Sequence, residues 1–271
     1  MRETVGIIGV GIVGSACKFG FEKLGHKVLV HDTKLNTLIS DVLPASVIFL
    51  CVPSPSSESG ECNTKILENV VKNLAELSYT GVVAIKTTVP PGTTKMLQKR
   101  HPNLTLAFVP EFLRERCAIS DFVENHILLA VGTTGRTNDK EVCELLFRIH
   151  GSYPKKKTHL ESGEAEMLKY YSNIFNALRV TFANEVYELC ENLDINYTNV
   201  KNAYIETGMV PDQYLDVNEN FRAFAGGCLV KDTKALAYLI RKRNLPCRLI
   251  ETIDIENQRY KPTVFPGMRE K

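Results

Sequence analysis

The sequence predicts an α/β protein: a mainly parallel sheet built from alternating short strands and helices, followed by a long connecting helix and a smaller all-helical part. Three observations predict it. Short apolar runs alternate with helical stretches from Val5 to Leu160, and such alternation implies a parallel sheet with right-handed crossovers. The first apolar run enters Gly9, Gly11 and Gly14 in GxGxxG spacing, and the second ends on Asp32. Finally, Ser162 to about Asn192 contains no Pro, and no Gly after Gly163. Apolar residues recur there at Met167, Tyr171, Ile174, Leu178, Phe182, Val186 and Leu189, three or four apart, which is the period of one helix of roughly 40 Å.

Composition bounds the function. The chain has 271 residues, 44% hydrophobic and 24% charged, which suits one large or two modest globular domains. A net charge of +2 gives no support for a nucleic-acid or membrane partner. No apolar run reaches transmembrane length, and Met-Arg-Glu-Thr is not a secretory signal. The eight cysteines show no CxxC pair and no zinc spacing, so no metal site is expected and a reducing, cytoplasmic setting is. The expected domains are 1–161, binding a dinucleotide; 162–259, the long helix and a helical domain; and 260–271, a loose tail with two Pro.

In chain order, Val5 begins a strand and Ser15 to about Leu24 a helix, and Lys27 to Asp32 is a strand ending in an acid. The glycines allow a tight turn, close approach of a pyrophosphate and close helix–strand packing, with the helix N-terminus facing the phosphates. Asp32 follows the glycine turn at the spacing, roughly 20 residues, where a carboxylate bonds a ribose 2'-OH and repels a 2'-phosphate. The cofactor expected is therefore NAD rather than NADP. Strands follow at Ala45–Val52, Gly81–Lys86, Leu104–Val109, His126–Gly132 and Lys155–Leu160, with helices at Asn63–Leu77, Thr94 to Arg100 and Asp139–His150 between them. The loops Gly9–Gly14, Pro53–Pro55, Thr87–Thr94 and Pro110–Glu115 fall at carboxyl ends of strands, where such sheets bind ligands; each taken singly reads first as an ordinary turn, but four on one edge of one sheet point to a site.

On the long helix, Ser162 can cap the first turn, with Glu164 and Glu166 at its positive end. Lys169, Asn173, Asn176 and Asn184 share a second face. Either these amides bond neighbouring backbone in a core helix, or Lys169 and Asn173, one turn apart, grip a substrate oxygen together. Thr198 can cap a shorter helix to about Glu206, Gly208 to Asn220 looks irregular, and helices follow at Thr233–Arg243 and Cys247–Arg259. Gly226 and Gly227 free the backbone before Cys228, and a helix starts near Asp232. A thiol there, beside Lys231, is either a buried residue in a Gly-rich turn or a nucleophile whose thiolate the helix and the lysine favour.

Seven segments then carry a resemblance: GVGIVG (9–14), CVPSP (51–55), KTTVPPGTT (86–94), PEFLRE (110–115), EAEMLKYYSN (164–173), NE (184–185) and GGCLVKD (226–232). Together, and in this order from about Val5 to Asn257, they resemble the UDP-glucose/GDP-mannose dehydrogenase family. Related β-hydroxyacid dehydrogenases share its Rossmann domain and the Lys-x-x-x-Asn helix but lack the cysteine. The resemblance implies oxidation of C6 of a nucleotide sugar, UDP-glucose foremost, in two hydride transfers to NAD through a Cys228 thiohemiacetal and thioester. It makes Lys169 and Asn173 the holders of the oxyanion, and gives Asp232 and Thr88 the handling of protons and water. Glu111 becomes the acid near the sugar. NAD would lie on Gly9, Gly11, Ile12, Val13, Gly14, Asp32, Pro53, Ser54 and Thr88, with Glu115 and Lys231 on its nicotinamide side. The sugar nucleotide would meet Glu111, Phe112, Leu113, Arg114, Glu115, Lys169, Asn173, Phe221 and Ala225. A homodimer through helix 162–192 is implied as well.

The sequence departs from the family pattern in several places. The family continues into a third, nucleotide-holding domain that these 271 residues do not include, and the segment after Asp32 is short. The usual GFGGSCFPKD reads AFAGGCLVKD, so Ala223 and Ala225 replace glycines. Gln213 to Asn220 stands where Arg-Ile-Gly is usual, and Arg116 replaces a Gly. Two alternatives follow from other features: a single-step β-hydroxyacid or sugar dehydrogenase using only Lys169 and Asn173, and a relative that binds NAD without turnover.

Overall fold

The computed structural model describes residues 2–261, so the expected tail lies outside the described residues beyond Lys261. Two compact units divide the chain: Met1–Pro55 with Cys62–Lys169, and Ser56–Glu61 with Tyr170–Lys271.

The first unit is a sheet covered on both faces. Its strands are β1 (Thr4–Ile8), β2 (Lys27–His31), β3 (Val47–Leu50), β4 (Val82–Ile85), β5 (Thr105–Phe108), β6 (Leu128–Thr133) and β7 (Lys156–Glu161). Between them lie α1 (Ile12–Lys23), α2 (Lys65–Glu76), α3 (Thr93–Arg100), α4 (Ala118–Val123) and α5 (Asp139–Ile149). The strand order is β2-β1-β3-β4-β5-β6-β7. Neighbours pair in parallel except β5 and β6, which meet antiparallel at Phe108 and Gly132. Central strands buried on both faces need apolar residues at every position, and VIFL in β3 and VVAI in β4 meet that demand. Side chains alternate between the faces. Val5, Ile7, Val47 and Phe49 pack with Phe21, Phe122 and Ile149 on one face. Ile8, Ile48, Leu50 and Ile85 pack with Leu67, Leu74 and Leu97 on the other.

β2 lies on one side of β1 and β3 on the other, so the strand order reverses direction between β1 and β3. A crevice opens at the carboxyl ends of strands at such a point. Here the glycine loop and the Cys51–Pro55 segment flank it.

Three short elements escaped the sequence reading. A 3-10 turn at Ile39–Val42 fills the short stretch after Asp32, and a second at Glu115–Cys117 leads into α4. Helix α4 itself is six residues of mixed polarity, too short for a helical period to show.

In the second unit, α6 (Ser162–Asn192) continues from its first turns in the first unit, followed by α7 (Tyr197–Glu206), α8 (Leu229–Lys242) and α9 (Arg248–Asn257). Three expectations are corrected. Ser162 is the first helical residue rather than the cap, and Glu164 returns its carboxylate to the Glu161 N–H at 2.8 Å. Asn196, not Thr198, caps α7, its side chain accepting from Asn199 N–H. Helix α8 begins three residues before Asp232, which puts Cys228 at its N-cap.

The apolar face of α6 is corrected too. Tyr171 is 69% exposed, Phe182 59% and Leu189 60%, while Glu166, Lys169, Asn173 and Asn184 are buried. Its polar face turns inward and much of its apolar stripe turns outward, the reverse of an ordinary amphipathic surface helix. Among the described residues no helix is long and apolar enough to cross a membrane.

Candidate active site

Three glycines shape the turn from β1 into α1, each for a different reason. Gly9 has φ +92 and lies so close to the Cys51 carbonyl that a Cβ would sit 2.7 Å from its oxygen. A Cβ on Gly14 would come within 1.9 Å of the Gly9 oxygen. Gly11, exposed at the N-cap of α1, would meet nothing within 4 Å. Packing of the chain demands the first and third glycines but not the second. Open space over Gly11 is what a pyrophosphate resting on backbone needs.

Asp32 is tied to the same turn. One carboxylate oxygen accepts from Val10 N–H at 2.7 Å and the other from Lys34 N–H at 2.9 Å. These two backbone donors hold its pKa below the ordinary carboxylate value, so it is a fixed negative charge. A carboxylate has about four lone-pair positions, so capacity remains for a ribose hydroxyl. Ile12 and Val13 occupy the first turn of α1, half-buried.

The loops after β3 and β4 are laced together. Ser54 Oγ donates to the Thr88 carbonyl at 2.8 Å, and Thr87 Oγ1 donates to the Val52 carbonyl at 2.8 Å. Pro53 stands exposed between two buried residues, and Thr88 is half-buried.

The strand β5 delivers Glu111, and α6 delivers Lys169 against it. Lys169 Nζ lies 3.0 Å from the Glu111 carboxylate and donates to the Glu111 carbonyl at 2.7 Å. The two side chains are only 4% and 9% exposed. Leu113 N–H donates to Glu111 Oε2 at 2.8 Å, and Phe112 offers its ring to the ammonium at 5.8 Å. Burial pushes the Glu111 carboxyl up, but the Lys169 charge and the Leu113 N–H outweigh it and hold the pKa below its ordinary value. Arg114, expected at the substrate, has its guanidinium engaged bidentately by buried Asp121, at 2.9 and 2.7 Å. Asp121 comes from α4, which the sequence reading did not contain. Glu115 is half-buried at the start of the following turn.

In the second unit, Asn173 Nδ2 donates to Asp232 Oδ2 at 2.6 Å, and Lys231 Nζ sits 3.0 Å from Asp232 Oδ1. Asp232 is fully buried and its N–H donates to the Cys228 carbonyl, closing the first turn of α8 under an exposed Cys228. The loop before the cysteine is braced twice. Arg222 donates to Asn184 Oδ1 at 2.6 Å and to Glu188 at 3.0 Å, while the Asn257 side chain clamps both backbone groups of Phe224, at 2.8 and 2.9 Å. Ala223 holds φ +61 in this loop, a conformation that favours glycine, and Ala225 is half-buried. Phe221 lines a cleft of about 570 Å³ with Tyr197, Lys201, Asp216 and Asn220.

The reading in which the amides on this face of α6 bond neighbouring backbone describes only part of it. Asn184 bonds the Val180 carbonyl as a core-helix amide does, and Asn176 accepts from Arg179. Lys169 and Asn173 instead reach groups far away in sequence. The braces Asp121, Arg222 and Asn257 were missed. Each is a lone polar residue in an otherwise ordinary stretch, and no local spacing signals its partner.

Residues 34–150 match the model of the family's NAD binding domain, and residues 163–259 match that of its central domain. The chain belongs to the UDP-glucose/GDP-mannose dehydrogenase family. Similar proteins include UDP-glucose 6-dehydrogenase TuaD of Bacillus subtilis, 27% identical over 96% of this chain and 64% of that protein. UDP-glucose 6-dehydrogenase of Rhizobium meliloti is 30% identical over 81% of this chain and 52% of its own length. GDP-mannose 6-dehydrogenase of Pseudomonas aeruginosa is 26% identical over 86% and 63%. The chain thus spans about half to two-thirds of the length of the curated relatives it matches.

Among solved structures, a UDP-glucose dehydrogenase from Pyrobaculum islandicum superposes with a TM-score of 0.86 at 23% identity, covering 96% of this chain and 68% of that one. Mycobacterium tuberculosis 3-hydroxyisobutyrate dehydrogenase gives 0.73 at 14% identity, covering 94% and 92%. At these identities the likeness is one of fold. The dinucleotide of this family's first domain is NAD, and the open backbone at Gly11 beside an ionised Asp32 fits it.

Proposed function

We propose that the chain oxidises the C6 primary alcohol of a nucleotide sugar, UDP-glucose foremost, to the uronic acid in two hydride transfers. The relatives named for that reaction support the reading, and so does the cluster at the start of α8. The observation that carries it is the buried Asn173–Asp232 hydrogen bond of 2.6 Å, with Lys231 on the other carboxylate oxygen and Cys228 capping the same helix. A purely structural helix start has no need of an exposed thiol, a buried carboxylate and a lysine within one helical turn of each other.

NAD supplies the hydride acceptor in each oxidation. In the first, Lys169 and Asn173 hold the alcohol oxygen and steady its developing negative charge. Cys228 then adds through its sulfur to the aldehyde carbon, and the carbonyl oxygen becomes a hydroxyl. That addition breaks the carbonyl π bond and makes the carbon tetrahedral, so the hydrogen already on it can leave as a second hydride, pushed by the hydroxyl oxygen, which the electron-poor aldehyde carbon alone does not allow. Loss of that hydride gives a thioester at Cys228. Water positioned by Thr88 and Asp232 cleaves it, returning the thiol and releasing the acid. Per sugar, one alcohol, two NAD and one water give one carboxylate, two NADH and three protons. Glu111 holds the Lys169 ammonium and lies on the sugar side with Phe112 and Leu113. Glu115 and Lys231 flank the nicotinamide, and Phe221 and Ala225 belong to the substrate side.

In this reading residues 1–161 hold NAD and residues 162–259 carry the cysteine. The reaction needs a reduced thiol, which a cytoplasmic setting maintains. The outward apolar stripe of α6, with Tyr171, Phe182 and Leu189 at least 59% exposed, is the face of a homodimer. Phe182→Asp shifts the particle to monomer mass in sedimentation if so, and an unchanged mass removes this face from the interface.

The test is stoichiometry. Purified protein given UDP-glucose and excess NAD yields two NADH per uronic acid, and Cys228→Ser forms no acid. Turnover of one NADH per sugar with Cys228→Ser fully active rejects the double oxidation in favour of a single-step dehydrogenase. NAD binding without NADH from any nucleotide sugar rejects both.

A further inference from the structure

Glu166 lies one turn before Lys169 on α6, and its carboxylate is completely buried. The sequence places it at the positive end of its own helix, but the structure sends it to another. One oxygen accepts from Gly92 N–H at 2.5 Å, and the other accepts from Thr94 N–H at 2.7 Å and Thr94 Oγ1 at 2.6 Å. Those donors are the open N-terminus of α3, where Gly92 is the N-cap with φ +96 and no side chain of the helix itself caps the end. A helix N-terminus has backbone N–H groups without intrahelical partners and a partial positive charge, and a carboxylate satisfies both.

The two elements joined this way each carry a residue of the proposed chemistry. The chain from β4 into α3 contains Thr88, four residues before Gly92, and its near end is pinned by the Ser54–Thr88 and Thr87–Val52 hydrogen bonds. The helix contains Lys169, three residues after Glu166 and so on nearly the same face. We propose that Glu166 is a positioning residue that fixes the Thr87–Thr94 loop against the Lys169-bearing turn, setting the water-handling threonine and the oxyanion-holding lysine in one rigid geometry. This deepens the nucleotide-sugar oxidation proposed above and rests on it for its catalytic consequence.

Glu166→Gln keeps the shape but replaces one acceptor oxygen with an NH2 group that faces an N–H or O–H donor. Displacing a reacting group by about 1 Å costs on the order of 100-fold in rate. With UDP-glucose and NAD, Glu166→Gln is expected to lose at least about tenfold in kcat per NAD-binding site, with KM for NAD within about threefold of wild type. Deuterium uptake is expected to rise in the peptides covering Thr87–Thr94 and Lys169, and to stay at the wild-type level in those covering β1 and β5. Thr94→Val keeps the carboxylate and both backbone bonds, and is expected to show the same selective uptake to a smaller degree; it decides the matter if Glu166→Gln does not fold.

Uptake that is unchanged, or that rises equally in β1 and β5, overturns the proposal, since the carboxylate then only stabilises the fold or does nothing. An unchanged kcat per site also overturns it. If the wild-type protein oxidises no nucleotide sugar, the function reading fails by itself, and the exchange pattern alone decides whether Glu166 couples the loop to the helix.

Discussion

Replacing Glu111 with Gln removes the carboxylate that faces Lys169 and leaves the ammonium buried. The pair is 3.0 Å apart, with side chains 4% and 9% exposed. At that distance and an effective dielectric of about 20 the gross attraction is about 5–6 kcal/mol, and removing one partner of a buried pair typically costs about 3–5 kcal/mol. The Gln oxygen still accepts a hydrogen bond, so a loss of about 3 kcal/mol is expected at neutral pH. The pH dependence has a definite sign. Glu111 is held below its ordinary pKa in the folded state, so its contribution is full above the unfolded value of 4.5 and is lost as pH falls through the folded one. Urea unfolding of both proteins at neutral pH and at successively lower pH is the assay. The gap should be about 3 kcal/mol at neutral pH and should narrow below pH 4.5. A difference under about 1 kcal/mol at neutral pH, or one that persists unchanged in acid, refutes the reasoning.

Two further substitutions separate packing from ligand approach at the glycine turn. Gly14→Ala puts a methyl 1.9 Å from a backbone oxygen and should destabilise the fold by about 2 kcal/mol or more. Gly11→Ala meets nothing within 4 Å, so its melting temperature should match wild type while NAD affinity, measured by calorimetry, falls about tenfold or more. Equal loss of stability in both would mean that Gly11 serves packing after all. At Ala223, held at φ +61, a change to Gly relieves left-handed strain of about 1–2 kcal/mol against an entropy cost of about 0.5–1 kcal/mol. A net gain of about 0.5 kcal/mol in denaturant unfolding is expected, and a destabilised Ala223→Gly would show that the loop is not strained there.

The alternation of strands and helices, the glycine turn with Asp32 behind it, and the long uninterrupted helix were all legible in the sequence. Each is encoded locally, by backbone freedom at glycine, by buried strands needing continuous apolar runs, and by the spacing of side chains around a helix. Even the short α4 failed only because six residues hold too few turns to display a period. The face of α6 that goes inward was not legible. Its spacing advertises Met167, Tyr171, Phe182 and Leu189, yet the buried face carries Glu166, Lys169, Asn173 and Asn184. A buried polar side chain is tolerable only where a partner waits, and those partners, at Gly92, Glu111, Asp232 and Arg222, come from elements 38 to 74 residues away. The sequence by itself determined which of the longer elements form and where the glycine turn lies. Only the tertiary structure decided which polar groups meet, because hydrogen bonds between distant segments leave no periodic trace in either one.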